Sequence, residues 1–223
     1  MKKLANVFEG FPKELPDFLW GLAFNNEKTW FDAHREPYER CLQTPFRALA
    51  FELADRMDAR FPNAAPALHI SRINRDARRL HGRGPYKDHL WFTLAKTSGL
   101  HDIQPCLYFE IRATDYAYGL GFWMGGGGAS ERWRAHIDAN PRRLERLVRA
   151  FNRQDTFALE SQCYKRPKGD RGKLLNEWYN SRALACERKV FFEPDPPGSE
   201  LADELERGFA LLMPLYKYMA EII

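Results

Sequence analysis

The sequence predicts an α+β fold: a mainly antiparallel sheet of about four to six strands, flanked by helical N-terminal and C-terminal regions. Two observations favour this class. Apolar residues recur at helical spacing in both end regions, and four strand-like segments follow one another in between. The connections between these strands are short or medium, which favours antiparallel neighbours. Helices grouped before and after the strands are typical of α+β proteins.

The N-terminal region predicts three helices. The first covers 12–24 and stops at the Asn25-Asn26 pair. Asn26 has a side chain suited to cap the second helix. Pro37 is expected to kink or end that second helix near Arg35. A third helix is predicted over 45–61, because its apolar residues form one stripe along the helix axis.

The central region predicts four strands. In the first strand, side chains alternate between two faces, so Arg72 and Arg75 point in opposite directions unless a bulge intervenes. In the fourth, Gly119 and Gly121 leave one face bare, on which a helix, an aromatic ring or a ligand can pack. The four segments cover 68–76, 90–95, 107–112 and 116–124.

The C-terminal region is predicted to be mostly helical. Its helices and one short strand follow from apolar spacing and from the positions of proline. The last helix should be kinked at Pro214. The predicted helices cover 129–137, 141–151, 174–184 and 199–223, and the short strand covers 190–192.

Composition limits the classes of protein. The 223 residues are expected to form one domain, residues 1–223, and the net charge of +4 is too mild for a dedicated nucleic-acid binder. The four cysteines contain no CxxC pair, so we expect reduced thiols in a cytoplasmic protein. No apolar run reaches the roughly 18 residues of a membrane span, and no signal peptide or cofactor is indicated.

The segment between the first two strands carries a high density of positive charge. From Arg72 to Lys87 there are six Lys/Arg residues and one acid, Asp76. Gly82, Gly84 and Pro85 favour turns there. Like charges at this density repel one another, so a loop that carries them needs either solvent or an anion.

These residues resemble the central motif of domain-of-unknown-function family 2461, a group of conserved hypothetical proteins. The resemblance spans nearly the whole chain and implies a fold but no reaction. The chain departs from the family pattern between Leu80 and Gly84, where the family usually has a serine, a lysine and an aspartate. The matching motifs are Arg72-x-x-Arg75-Asp76-x-Arg78, Pro85-Tyr86-Lys87, Asn25-Asn26-x-Lys28-x-Trp30-Phe31, Gly119-x-Gly121 and Lys165-Arg166-Pro167-Lys168-Gly169.

The first hypothesis for this cluster is a site for a phosphorylated or carboxylated small molecule. Arginine forks match phosphate and carboxylate oxygens in two-point geometry. In this hypothesis Tyr86 stacks or donates a hydrogen bond. Asp76 either orients one guanidinium or, if no arginine pairs it, acts as the acid/base residue of an enzyme. Positive charge would come from Arg72, Arg75, Arg78 and Lys87.

The alternative for the same cluster is a structural network in which Asp76 pairs with Arg72 or Arg78 and braces the loop. The two interpretations can coexist. Asn26 and Lys28 have the same two interpretations. The N–H groups at a helix start favour an anion, but a capping side chain alone can also satisfy them. The family resemblance implies that this helix start lies beside the central loop.

Other candidate sites are weaker. The run Gly125 to Gly128 more often ends a hairpin than binds phosphate, and it lacks the residues of a P-loop. His81 and His89 could hold a metal with Asp76 or Asp88, but no metal-binding spacing occurs, so no metal site is predicted. The basic loop 165–171 is either a second wall of the anion site or a solvated connection.

Two other functions remain open. A nucleic-acid binder would use the central loop together with the arginine face of the helix region 141–153, whose members are Arg142, Arg146, Arg149 and Arg153. A scaffold or interaction protein would use the central arginines only to hold its fold.

Overall fold

The computed structural model describes residues 7–64, 66–76, 78, 82–96, 104–126 and 128–222. Within these residues six strands form one antiparallel sheet, with helices before and after it along the chain. The predicted α+β class is therefore confirmed. No helix in the described ranges is long and apolar enough to cross a membrane.

The second N-terminal helix ends close to the predicted position near Arg35. Its last residue is Ala33, and Pro37 belongs to the short helix that follows the break at His34. Proline is compatible with a first helical turn, where its missing N–H would have no partner. The elements are α1 (Leu15–Phe24), α2 (Lys28–Ala33), α3 (Arg35–Pro37), a π-helical turn (Tyr38–Gln43) and α4 (Thr44–Arg60).

The π-helical turn has a local cause in the sequence. Pro45 has no N–H with which to bond the carbonyl of Cys41, four residues earlier. The N–H of Thr44 instead bonds the carbonyl of Glu39, five residues earlier. This wider turn lets the chain pass from α3 into α4 without leaving a helical path.

The sheet has the strand order β1-β2-β3-β4-β6-β5, and all neighbouring strands are antiparallel. The alternation predicted for the third strand is confirmed, since Leu107, Phe109 and Ile111 are fully buried. The first strand is shorter than predicted and ends at Ile70. The strands are β1 (Ala67–Ile70), β2 (Leu90–Ala95), β3 (Cys106–Ile111), β4 (Asp115–Trp123), β5 (Ala158–Cys163) and β6 (Ser181–Phe191).

The C-terminal region contains more strand than predicted. The expected helix over 174–184 is wrong beyond Tyr179, because β6 begins at Ser181 and absorbs the short strand expected at 190–192. β5 was not predicted at all. The bounds predicted for 141–151 are confirmed, and Pro214 lies inside the last helix. The helices are α5 (Ala129–Ala139), α6 (Pro141–Phe151), α7 (Gly172–Tyr179) and α8 (Leu201–Ala220).

The main core lies between one face of the sheet and the helices α4 and α8. The Phe46 ring of α4 lies 5.6 Å from the Phe92 ring of β2, between centroids, and the Phe209 ring of α8 lies 6.1 Å from the Tyr118 ring of β4. Burying each such side chain stabilises the fold by about 1.5–3 kcal/mol. The packing of α4 on the sheet places its first turn close to the connection between β1 and β2.

The bare face predicted at the glycines of β4 is covered by an aromatic ring. The ring of Tyr108 lies 3.6 Å from the position that a Cβ of Gly121 would take. At Gly119 the backbone carbonyl of Cys186 on β6 approaches too closely for any side chain. One glycine therefore accommodates a ring and the other a neighbouring strand.

Candidate anion-binding cavity

The connection between β1 and β2 folds back on itself beyond the sheet. The N–H of Lys87 bonds the carbonyl of Ile73 at 2.8 Å, and the N–H of Arg75 bonds the carbonyl of Pro85 at 2.7 Å. Asn74 and Tyr86 form an isolated bridge between the two arms. These bonds extend the β1–β2 pair as an irregular hairpin arm. Leu80 and His81, in the segment where the chain departs from the family pattern, lie outside the described residues.

Asn26 attaches this arm to the N-terminal helices. Its Nδ2 donates to the carbonyl of Tyr86 at 2.9 Å, and its Oδ1 accepts from the N–H of Tyr86 at 2.9 Å. The sequence suggested that Asn26 caps α2. In the structure Glu27 is the N-cap residue, and it makes no side-chain capping bond. The helix start and the central loop thus lie side by side, and the Asn26 amide is the bond between them.

Arg75 also serves this attachment. Its Nε donates to the Tyr86 carbonyl at 2.7 Å, and its Nη2 lies 3.4 Å from an Asp88 carboxylate oxygen. The Arg75 side chain is only 14% exposed. Its guanidinium is therefore committed to the protein.

Asp76 and Arg78 form a two-point ion pair on the surface. The Nε and Nη2 of Arg78 donate to the two carboxylate oxygens of Asp76 at 3.1 and 2.7 Å, and the Arg78 backbone N–H donates to Oδ1 at 3.0 Å. The Arg78 side chain is 85% exposed. An arginine pairs Asp76, so the condition that we set for an acid/base role is not met.

Lys87 turns back onto its own hairpin arm. Its Nζ donates to the carbonyl of Arg72 at 2.6 Å and lies 5.6 Å from the centroid of the Trp91 ring. Burial, followed by the charge of Arg75, lowers the pKa of the Lys87 ammonium. Burial and the charges of Lys87 and Arg72 likewise lower the pKa of His69. Burial is the larger cause in both cases, and the neighbouring cations add to it.

A cavity of about 580 Å³ lies between the N-terminal helices and the hairpin arm. This volume is within the range of small-molecule sites, roughly 300–1,000 Å³. Four cationic side chains and one carboxylate line the cavity: Lys28, Arg35, Arg47, Arg72 and Asp32. Of the residues predicted to bind a ligand, the cavity wall contains Lys28, Arg72 and Tyr86.

Three of the four cations have no counter-ion within the described part of the chain. The side chains of Lys28 and Arg72 make no ion pair there, and Arg47 only lies over the Phe51 ring, 5.3 Å from its centroid. Arg35 pairs with Asp32 across 3.4 Å at an exposed position. The cavity therefore carries an excess of positive charge that the surrounding protein does not neutralise.

Buried hydroxyl groups line the same cavity. Tyr38, Ser71 and Tyr86 are 6%, 7% and 5% exposed. No described group bonds the hydroxyl of Tyr86, whose ring stacks on Phe31 with centroids 4.1 Å apart. Burial raises the pKa of both tyrosine phenols, so both stay protonated and able to donate at neutral pH. A hydroxyl without a protein partner is free to bond a ligand or water that enters the cavity.

Arg35 and Arg47 are the cavity residues that the sequence analysis missed. They lie on α3 and α4, far from the central motif in sequence. One available signal was the spacing of Lys28, Asp32 and Arg35, which places three charged residues on one side of a helical path. No comparable signal marked Arg47.

The other sequence candidates lie outside this cavity. The loop 165–171 is held at the opposite sheet edge, where the Oδ1 of Asn180 accepts from the backbone of Lys168 and Gly169. Five strand spacings of about 4.8 Å separate the two edges, so a second wall of the same site is ruled out. The run Gly125 to Gly128 joins β4 to α5, with Gly127 outside the described residues.

The remaining candidates were two histidines and the arginines of the helix region 141–153. No group of three His, Cys, Asp or Glu side chains in the described ranges could hold a metal ion, and His81 is not among those ranges. His89 bonds Asp88 at 2.9 Å. The arginine face of α6 and the residues after it is exposed, as expected: Arg142, Arg146, Arg149 and Arg153.

The fold and the cavity define a class: a single-sheet α+β protein with a cationic cavity between its N-terminal helices and the β1–β2 connection. The chain belongs to the family described as conserved hypothetical protein (DUF2461), whose model matches residues 14–218. No curated protein matches the chain. The matched range includes both the turn before α2 and the β1–β2 connection, which the Asn26 amide joins.

Proposed function

We propose that the protein binds a phosphorylated or carboxylated small molecule in this cavity. The observation that carries the proposal is the convergence of Lys28, Arg47 and Arg72, three exposed cations without counter-ions, on one cavity that is open to solvent. Cations held close together repel one another, and an anion between them removes that repulsion. A ligand of negative charge is therefore the occupant that best fits the cavity.

The roles of the residues follow from their chemistry. The Arg72 guanidinium can meet two oxygens of a phosphate or carboxylate, and Lys28 and Arg47 add charge from the helical side. Tyr86 donates its unpaired hydroxyl. Arg75, Asn26 and Lys87 hold the hairpin arm that presents Arg72 and Tyr86. Asp76 orients Arg78 and transfers no proton in this proposal.

We place this function in the cytoplasm. The four cysteines are free, and no two of them form a disulfide. Two of them, Cys41 and Cys186, are buried, which is typical of unreactive structural thiols. Reduced thiols are the usual state in the cytosol.

The test is a binding screen of the wild type, Arg72→Gln and Arg142→Gln. Arg142 is an exposed arginine on α6, outside the cavity, and so provides a matched control. A ligand at about 100 times its dissociation constant stabilises the protein by about 2.7 kcal/mol, which raises Tm by roughly 5–10 °C at this size. The panel contains phosphorylated metabolites, carboxylates and short oligonucleotides.

We expect a shift with selected small anions that Arg72→Gln removes and Arg142→Gln preserves. Binding of oligonucleotides that falls steeply between 50 and 200 mM salt, and that Arg142→Gln weakens, would instead favour the nucleic-acid alternative. If no compound in the panel shifts Tm, the arginines are left with the structural role of the scaffold alternative, and the proposal is wrong.

A further inference from the structure

The cavity offers more to a ligand than positive charge. Its wall also contains six polar side chains that are not cations: Asp32, Tyr38, Gln43, Ser71, Asn74 and Tyr86. Most of them can both donate and accept hydrogen bonds. A ligand that fills this space with an apolar body would bury these groups without partners, at a free-energy cost for each.

The aromatic rings of the wall do not offer a stacking surface. Phe31, Tyr38, Phe46 and Tyr86 are at most 6% exposed. The faces of Phe31 and Tyr86 are turned toward each other, 4.1 Å between centroids at an angle of 18°. An aromatic ligand such as a nucleobase would therefore find ring edges and polar groups where it needs a free ring face.

Ser71 and Tyr38 have one hydrogen-bonding function each already in use. The Oγ of Ser71 accepts from the N–H of Trp91 at 3.1 Å, and the hydroxyl of Tyr38 accepts from Gln43 Nε2 at 3.3 Å. Both hydroxyls therefore keep a hydrogen to donate. With the Tyr86 hydroxyl, which no described group bonds, they supply three donors from nearly buried positions.

Asp32 is the feature that a simple anion site does not explain. It is the only carboxylate on the described cavity wall, and it can only accept hydrogen bonds when ionised. It lies close enough to Tyr86 to contribute, after burial, to the raised pKa of that phenol. A carboxylate at this place repels a phosphate but accepts well from a hydroxyl group.

We infer, on the basis of the proposed function, that the ligand is a phosphorylated polyhydroxy compound. Its phosphate lies among Lys28, Arg47 and Arg72. Its hydroxyl groups meet Asp32, Asn74 and the buried donors. The chemistry of a sugar phosphate or a polyol phosphate satisfies both halves of the wall, whereas an alkyl phosphate satisfies only the first and a nucleotide adds a base that finds no free ring face.

The test compares two probes of equal phosphate charge by titration calorimetry: glucose 6-phosphate and n-hexyl phosphate. Each well-paired hydroxyl contributes a factor of about five in affinity, so two pairs predict at least a ten-fold preference for the hexose phosphate. Asp32→Ala is the diagnostic variant. Asp58→Ala removes an exposed acid of α4 outside the cavity and is its matched control.

The two probes should respond to Asp32→Ala in opposite directions. Hexose phosphate should bind about five-fold more weakly, because a hydroxyl loses its acceptor. Hexyl phosphate should bind equally well or up to two-fold more tightly, because a negative charge leaves the site. A misfolded variant would weaken both probes, and the Asp58→Ala control should change neither.

The outcomes separate this inference from the proposed function. Two results would overturn only this inference. In the first, the wild type binds both probes with affinities within two-fold of each other. In the second, Asp32→Ala weakens the binding of both probes alike while its unfolding curve stays that of the wild type, so the site binds an anion without recognising hydroxyl groups. If the wild type binds neither probe nor inorganic phosphate but does bind a carboxylate, the ligand carries no phosphate group. This inference is then wrong, and the carboxylate half of the proposed function stands. Binding of no anion at all overturns both.

Discussion

Arg72→Ala and Arg75→Ala are expected to have opposite effects, although the two arginines are three residues apart. Arg75→Ala removes a charge-assisted hydrogen bond of 2.7 Å to the Tyr86 carbonyl, worth roughly 1.5–3 kcal/mol. That carbonyl keeps its bond from Asn26, so no acceptor is orphaned. The longer pair with half-exposed Asp88 adds at most about 1 kcal/mol.

The sum predicts that Arg75→Ala lowers the free energy of unfolding by about 1.5–4 kcal/mol and Tm by about 3–16 °C. Affinity for the anion should change by less than about three-fold once the variant is folded. Arg72→Ala should leave stability nearly unchanged, since its side chain has no described partner. It should weaken anion binding by about 10- to 100-fold, the equivalent of one or two charged hydrogen bonds.

Urea unfolding followed by circular dichroism measures the first quantity, and titration calorimetry with the best ligand of the screen measures the second. Arg78→Ala provides the control, because that guanidinium is exposed and bonds only its neighbour Asp76 among the contacts described above. The reasoning is refuted if Arg75→Ala unfolds at the wild-type urea concentration and loses the ligand. That result would make Arg75 a ligand contact and the bond to Tyr86 incidental.

Three further predictions concern the fold. Gly84→Ala should destabilise the protein by more than Gly82→Ala. A Cβ at Gly84 would lie 2.5 Å from the backbone oxygen of Asn26, whereas a Cβ at Gly82 would meet open space and only the positive φ of 78° opposes it. Comparison of the urea midpoints of the two variants tests this. Asp115 is buried, which alone would raise its pKa, but hydrogen bonds from Thr114 and Arg112 outweigh burial and hold the pKa below its usual value. Its stabilisation should therefore be present at pH 7 and be lost as pH falls below about 4, so that the stability difference between wild type and Asp115→Asn shrinks between pH 7 and pH 3. Calorimetry should give one unfolding transition with equal calorimetric and van't Hoff enthalpies if residues 1–223 form one domain; two separable transitions would contradict that expectation.

The elements that the sequence predicted well are those with a strong apolar period. The alternation in β3 and the stripe of α6 each bury one face, and their bounds follow from that. β5 was missed because it is an edge strand, Ala158–Cys163, whose residues are partly or fully exposed and carry no such period. The side chains of β5 are not fully buried on either face of the sheet, so neither face needs an apolar set.

The overextended helix has a different cause. Leu174, Leu175 and Trp178 have helical spacing, and the prediction extended the helix from them to Leu184. The chain leaves the helix at Asn180, whose side chain bonds the backbone of Lys168 and Gly169. A long-range contact of this kind decides the end of the helix, and it leaves no local signal.

For the candidate site, the sequence indicated a concentration of cations but not its geometry. A count of charges does not distinguish Arg72, which lines the cavity, from Arg75, which bonds the backbone. Arg47 lies 25 residues before Arg72 on another element, and only the packed fold brings the two to one cavity. Charge density along one segment therefore predicted an anion site but assigned part of it to residues that brace the loop.

The π-helical turn makes the cavity sensitive to chain length. It separates Arg35 and Tyr38 on one side from Phe46 and Arg47 on the other, and all four line the cavity. The π-helical turn holds about one residue more than a regular α-helical turn does, so deletion of one residue within Tyr38–Gln43 could be absorbed by a return to regular winding, with both groups near their present angle. An additional residue there would have no regular turn to absorb it, and it would rotate Phe46 and Arg47 against Arg35 and Tyr38 by about 100°. In this part of the chain an insertion of one residue should therefore harm binding more than a deletion does.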